Sequence, residues 1–355
     1  MALAATGLTT HILNNNLKSG FLLASFPLLI FIMVFAFQLA LYYFGVFTPH
    51  MAPPITAGAP IDAEMVNGAW RGSLYLSPYI FGGVAIWFVI AWFFHARMIR
   101  AASGAVPVTR NEYPEIYNML ENLCISRGVP MPHFNIIDSP ALNAFASGIN
   151  EKTYSITLTR GIVEALEPEE LNAVIAHELT HIMNRDVRLM MVAIIFVGIF
   201  SFLAEVTFRS LLYGRYTAAA RYGNNRGRSG GGILIVIIGL AILAVGYMFA
   251  ILVRFAISRR REYMADAGAV ELTKDPEAMM RALMRISNRA EMKDMPRDMK
   301  QLCIENASHF MGMFASHPPI EKRIETLSRL TQTPVPELPV TLRRPPRRPW
   351  DRNRK

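Results

Sequence analysis

The stretch Glu167-Pro168-Glu169-Glu170-Leu171-Asn172-Ala173-Val174-Ile175-Ala176-His177-Glu178-Leu179-Thr180-His181 decides how this 355-residue chain is read. It opens as a helix. Proline stands in the first turn, where its missing N–H costs nothing, and acids sit at the positive end of the helix dipole. No Gly or Pro interrupts the run from Glu169 to Arg188, so a continuous helix is expected there. His177 and His181 are four residues apart and therefore share one helix face, one turn from each other. Both imidazoles can reach a single Zn²⁺. Glu178 is carried beside that ion, where it can take a proton from a water at the metal. A histidine pair satisfied within a buried helix face is the structural alternative.

A zinc site needs a third protein ligand and an open position. The candidate lies in Ser258-Arg259-Arg260-Arg261-Glu262-Tyr263-Met264-Ala265-Asp266. Glu262 and Asp266 again share one helix face. Glu262 can ligate the metal, and Asp266 can accept the second ring N–H of a ligand histidine. The alternative is a solvated helix start with an Arg–Glu pair at helical spacing.

An HExxH helix, a hydrophobic hairpin and then RxxExxAD, in that order, resembles the HtpX family of integral-membrane zinc metalloproteases, relatives of the CAAX prenyl protease. Pro140-Ala141-Leu142-Asn143-Ala144-Phe145-Ala146 resembles the family's segment ahead of the HExxH helix. Ser316-His317-Pro318-Pro319-Ile320-Glu321-Lys322-Arg323-Ile324 resembles its carboxy-terminal HPP-x-E-x-R-I motif. The match covers residues 97–330. The long loop near Pro53 and the Arg/Pro-rich tail have no place in it. The resemblance implies His177, His181 and Glu262 as ligands of one Zn²⁺ per subunit, and Glu178 as general base. It also implies His317 at the oxyanion, Arg323 in support of the site, and Asn143 and Ala144 as contacts to the substrate backbone.

Composition fits a membrane protein. Hydrophobic residues make up 52% and charged residues 18%, too apolar for an ordinary soluble domain. Residues 21–47, 74–94, 189–212 and 233–257 read as membrane helices by length and lack of charge. The first is too long for a signal peptide's apolar core and is expected to be retained. The loop 48–73 holds Arg71 as its one base, whereas Arg97, Arg100 and Arg110 follow the second span. That bias places the segment after residue 94 in the cytoplasm. His177 and Glu262 must share a compartment, so the third and fourth spans either cross and return or are re-entrant. The loop between them carries Arg209, Arg215, Arg221, Arg226 and Arg228 without an acid, so either the pair is re-entrant or the loop is an exception to the positive-inside bias; two crossings are the expectation. Glu205 and Arg254 fall inside these apolar runs and suit a wet cavity or a snorkelling position.

The expected fold is therefore an α-helical membrane protein with a mainly helical, zincin-like cytosolic catalytic domain carrying a small β-sheet (α+β). Its parts are an N-terminal transmembrane hairpin (1–95), a catalytic part with the HExxH helix (96–188) and a second transmembrane or re-entrant hairpin (189–257). A catalytic part with the third ligand (258–330) and a disordered Pro/Arg-rich tail (331–355) complete it. Residues 113–127 read as an amphipathic helix, 133–138 and 153–158 as strands, and 143–146 as an edge strand between them. Asp275-Pro276 caps a helix over 278–292, and a final helix covers 320–330. Cys124 and Cys303 lack metal-ligand spacing and read as small buried hydrophobes.

Between Arg343 and Lys355 seven bases face one acid, Asp351, so most of the +9 net charge belongs to the tail. Such a tail beside a membrane suits anionic lipid. Trp350 alone gives too little aromatic interleaving for nucleic acid. The expected activity is zinc-dependent endopeptidase action on polypeptides, with the resemblance implying membrane-protein quality control at the inner (plasma) membrane. The alternatives are a catalytically silent membrane scaffold and a site-2-type intramembrane protease. The metal helix is too short and too closely flanked by charge for the latter.

Overall fold

The computed structural model describes residues 8–43, 63–195, 239–241, 244, 246, 260–287 and 318–337. His317, Glu205, Arg254, Cys303, the arginine-rich loop and the basic tail lie outside the described residues, as do most of the third and fourth apolar runs. The chain divides into two compact units.

One unit contains residues 20–93, most of two long helices. Helix α1 spans Leu8–Tyr43 and α2 spans Ala63–Ser103. Both exceed the apolar runs in the sequence, because helix propensity continues into the polar flanks. They pair antiparallel. Phe26 meets Phe88 edge-on at 5.7 Å, and Trp70 packs on Phe31 at 5.5 Å and Phe35 at 6.2 Å. Met65 and Ala69 are fully buried against Phe35 and Leu39. The remaining faces are apolar yet uncovered: Tyr79 and Phe93 are over 70% exposed. Among the described residues, α2 is the one helix long and apolar enough to cross a membrane.

The other unit carries residues 94–192 and the chain beyond 255. It is mostly helical with one four-stranded sheet. The strands are β1 (Val106–Pro107), β2 (His133–Ile137), β3 (Ala144–Ser147) and β4 (Ser155–Thr159). Their order is β1-β2-β4-β3. β2 and β4 run parallel, and β3 pairs antiparallel with β4 from Ala144↔Leu158 to Ser147↔Ser155. The segment expected as an edge strand is thus at the edge, but outside β4 and not between the two longer strands. The parallel β2–β4 pair takes the centre because both of its faces are buried.

Helices α3 (Pro114–Arg127), α4 (Arg160–Ala165), α5 (Pro168–Met183), α6 (Arg260–Thr273), α7 (Pro276–Ile286) and α8 (Ile320–Thr331) surround this sheet. α5 is central and packs on α3, β3, α6 and α7. Its start is secured by a capping box between Glu167 and Glu170 with Pro168 in the first turn. Glu170 is buried and also takes Arg285 of α7 at 2.9 Å. Asp275 caps α7 by accepting the Ala278 N–H. Gly161 is needed where α4 meets the chain before β3, since a Cβ there would stand 2.2 Å from the Pro140 carbonyl.

The continuous helix expected from Glu169 to Arg188 is interrupted. α5 ends at Met183, and Arg185 adopts the left-handed conformation at φ 58° before helix resumes over 186–195. No glycine or proline announces this break. Its physical reason lies in the active site.

Candidate active site

α5 carries His177, Glu178 and His181 on its buried side, and each is less than 9% exposed. α6 crosses α5 closely and brings Glu262 and Asp266 to the same place, both buried. The close crossing depends on small size at one point: a Cβ at Gly268 would lie 2.4 Å from the Thr180 methyl. The two imidazoles stand at 88° with their Nε2 atoms 3.2 Å apart. Glu262 lies 3.8 Å from His177 Nε2 and 3.7 Å from His181 Nε2. These three residues form a metal-competent cluster among the described residues.

Each histidine has its own carboxylate behind it. His177 Nδ1 is 3.0 Å from Asp266 Oδ1, with the approach off the ideal N–H direction. His181 Nδ1 is 3.1 Å from Asp186 Oδ2. Protons on both Nδ1 atoms leave lone pairs on both Nε2 atoms, pointing at each other beside a carboxylate. Lone pairs at 3.2 Å repel unless a cation lies between them. Two Zn–N bonds of about 2.05 Å at a tetrahedral angle put the nitrogens about 3.3 Å apart. The donor set therefore fits a tetrahedral metal with one position left open. The residues behind the ligands fit as well, because such carboxylates fix the ring orientation.

Asp186 was absent from the sequence reading. It follows Arg185, whose left-handed turn sends the chain back so that a residue five beyond His181 meets its Nδ1. A fully helical course would carry Asp186 off that face. The one available signal was an acid just past the HExxH word, which is weak.

Asp266 is also gripped by Arg323 from α8, at 2.9 Å through Nε and 2.6 Å through Nη2. Arg323 is fully buried, and its Nη1 is 4.0 Å from Glu262. Burial alone would raise the Asp266 pKa, but Arg323 outweighs it and holds the carboxyl below its usual value. Burial lowers the His177 pKa to about 4, against the pull of Asp266. Burial likewise opposes a charged His181, yet Glu262 and Asp186 outweigh it and raise its pKa. Burial raises Glu178 to about 7, with the Glu262 carboxylate adding to the effect. The Ala146 N–H faces the Glu178 carboxylate and partly offsets the rise.

That last contact places Glu178 against the sheet's edge. β3 uses alternate residues to bond β4: the Asn143 carbonyl accepts the Thr159 N–H at 3.0 Å. Ala144 and Ala146 therefore direct their backbone groups outward. The Ala144 N–H is held at 2.9 Å by the Asn143 side-chain oxygen. Asn143 and Ala144 are both buried. The structure thus brings His177, Glu178, His181, Glu262, Asp266 and Arg323 together and puts Ala144 at the start of the neighbouring edge strand, with Asn143 just before it.

The model of peptidase family M48 matches residues 110–331, the segment holding all of these residues. A protease HtpX homolog of Bacteroides fragilis (strain YCH46) is 47% identical over 332 residues, covering 91% of this chain and 98% of that protein. One from Lactobacillus acidophilus is 32% identical over 277 residues, covering 77% and 91%. The crystal structure of S. mikatae Ste24p aligns over 72% of this chain and 58% of its own, at 21% identity and a TM-score of 0.42. A buried triad with a carboxylate beside it and full-length similarity to named proteases lead to one conclusion: the chain belongs to peptidase family M48, as a metalloprotease of the HtpX family.

Proposed function

We propose that this metalloprotease is a zinc endopeptidase that uses Glu178 as its proton-transferring base. The metal is held by His177, His181 and Glu262. Zinc, when bound, supplies a Lewis acid and lowers the pKa of a water to about 7. Glu178 accepts the proton of the attacking water and returns it to the leaving amine. Its raised pKa suits both halves of that task, since the group holds and releases a proton near neutrality. Asp266 and Asp186 keep the ligand rings turned with Nε2 inward, and Arg323 fixes Asp266. His317, outside the described residues, steadies the oxyanion in this reading.

The substrate enters as an extended strand along the outer edge of β3, pairing with the outward carbonyls of Ala144 and Ala146, whose N–H groups face Asn143 and Glu178. Asn143 serves by holding the Ala144 N–H with its side chain while its own carbonyl stays in the sheet. Both Asn143 and Ala144 are buried, so substrate entry exposes this edge. Main-chain pairing of this kind tolerates many sequences, which fits a role in clearing damaged or misfolded membrane proteins. In the same reading the chain is a multi-pass protein of the inner (plasma) membrane. Its peptidase unit faces the cytoplasm, and the basic tail rests on anionic lipid.

The observation that carries the mechanism is Glu178 lying between the metal triad and the Ala146 N–H of the edge strand. Glu178→Gln tests it at matched zinc content. The variant should bind zinc and remain folded while losing cleavage of a model membrane substrate by several orders of magnitude. Equal rates in the two proteins would remove Glu178 from the mechanism.

A further inference from the structure

The chemistry above leaves one large cavity unused. It lies at the C-terminal end of α5 and has a volume of about 580 Å³. Leu179 and Ile182 form part of an apolar floor. Lys152, Arg185 and Arg188 line it against a single carboxylate, Glu151. Among the described residues these three bases make no ion pair. Tyr154 also lines the cavity. It is buried, in the field of Arg185 and Arg188.

The placement of the bases is built in. Arg185 holds the left-handed conformation because Asp186, next to it, turns back to His181. Its position is therefore tied to the metal site rather than to a loose loop. Arg188 is the last residue before the apolar run 189–212. Two guanidinium forks and an ammonium offer more donors than one side-chain carboxylate can accept, but they match the oxygens of a phosphate. The volume is that of a site for a small molecule, several times what an aspartate side chain would fill.

We propose that this cavity binds a phosphate group through Arg185, Arg188 and Lys152, with the phospholipid headgroup and free phosphate as the two possible sources. The lipid source rests on the reading that residues 189–212 enter a bilayer, which would bring headgroups to Arg188. The site uses no catalytic residue, so its failure would leave the protease assignment intact.

The test uses the full-length protein in detergent and in nanodiscs of phosphatidylcholine, with and without phosphatidylglycerol, and separately with inorganic phosphate. Melting temperature and bound lipid by native mass spectrometry are the readouts. Wild type should gain thermal stability with phosphatidylglycerol, with phosphate, or with both, and the responding arm identifies the source. Arg185→Gln with Arg188→Gln should weaken that binding at least tenfold. Arg188→Lys should retain part of it. Lys322→Gln with Arg329→Gln, which removes the same charge from exposed α8 positions, should bind as wild type. Zinc content equal to wild type certifies that each variant is folded. Unchanged phosphatidylglycerol and phosphate binding in the Arg185/Arg188 double variant would overturn the site. So would a response to neither ligand in wild type. Loss of cleavage confined to acidic peptides, without any lipid or phosphate effect, would make the cavity a peptide subsite instead.

Discussion

The two ligand histidines lie four residues apart on one helix, yet they are held in different ways. His177 is backed by Asp266, which comes from α6 and is clamped in turn by Arg323 of α8. Three segments far apart in sequence meet there. His181 is backed by Asp186, five residues away, through a left-handed turn at Arg185. One support is long-range and buried among charges, the other local and dependent on backbone conformation. The first should report on folding of the whole unit, the second mainly on the metal.

The largest expected effect comes from breaking the long-range support. Arg323→Ala leaves the Asp266 carboxylate buried without its clamp, a loss of about 3–5 kcal/mol. Thermal unfolding of the purified variant should show it directly, and zinc should fall with the fold. A melting temperature near wild type would mean that Asp266 finds another partner. The pair also sets an acid limit. Arg323 depresses the Asp266 pKa, so the stabilisation is complete above the ordinary aspartate value and disappears as pH falls through the lower, folded one.

Asp186→Ala should cost about 10–100-fold in zinc affinity. Its effect on melting of the metal-free protein should be smaller than that of Arg323→Ala. Competition with a chelator measures the first quantity and calorimetry the second. If Asp186→Ala destabilises the metal-free protein as much as Arg323→Ala does, the contrast between local and long-range support is wrong.

The α5–α6 crossing joins the two halves. Gly268→Ala drives a methyl into Thr180, a strain of about 1–3 kcal/mol that also moves Glu262 away from the histidines. Thr180→Ala in the same chain should recover part of the zinc affinity, and absence of recovery would locate the strain elsewhere.

Glu178 supplies a subtler contrast. Burial raises its pKa to about 7, so the folded state holds a proton that the unfolded chain has released. Its contribution to stability is complete below the ordinary glutamate value and is lost as pH rises through about 7. In metal-free protein, Glu178→Gln should therefore raise the melting temperature more at pH 8 than at pH 5. A bound cation lowers the same pKa, so the acid limb of wild-type activity should fall below 7.

The smallest effect belongs to the surface. Arg127 and Glu271 pair at 2.6 Å between α3 and α6, but both side chains are solvent-exposed. Arg127→Ala should change stability by less than about 1 kcal/mol.

What could be read from the sequence follows the range of the interactions. His177, Glu178 and His181 were legible because helical periodicity alone sets their relative positions. Glu262 and Asp266 were legible as a pair for the same reason. β2, β3 and β4 were found within one or two residues, since β-branched and aromatic runs mark a buried sheet; the two-residue β1 was not. The order of those strands was not legible, because alternation along a strand carries no information about its neighbour. Asp186 escaped because helix propensity extends through Arg185, and only the pull toward His181 makes a left-handed arginine tolerable. The sequence by itself determined that two imidazoles share a helix face with a carboxylate carried beside them, and that a second helix offers Glu262. Only tertiary packing decided which carboxylate stands behind which histidine, that Arg323 clamps Asp266, and that the Ala146 N–H of the edge strand faces Glu178. Contacts one turn apart are fixed by helix geometry. Contacts between residues 177, 266 and 323 exist only once the helices have buried their apolar faces against one another.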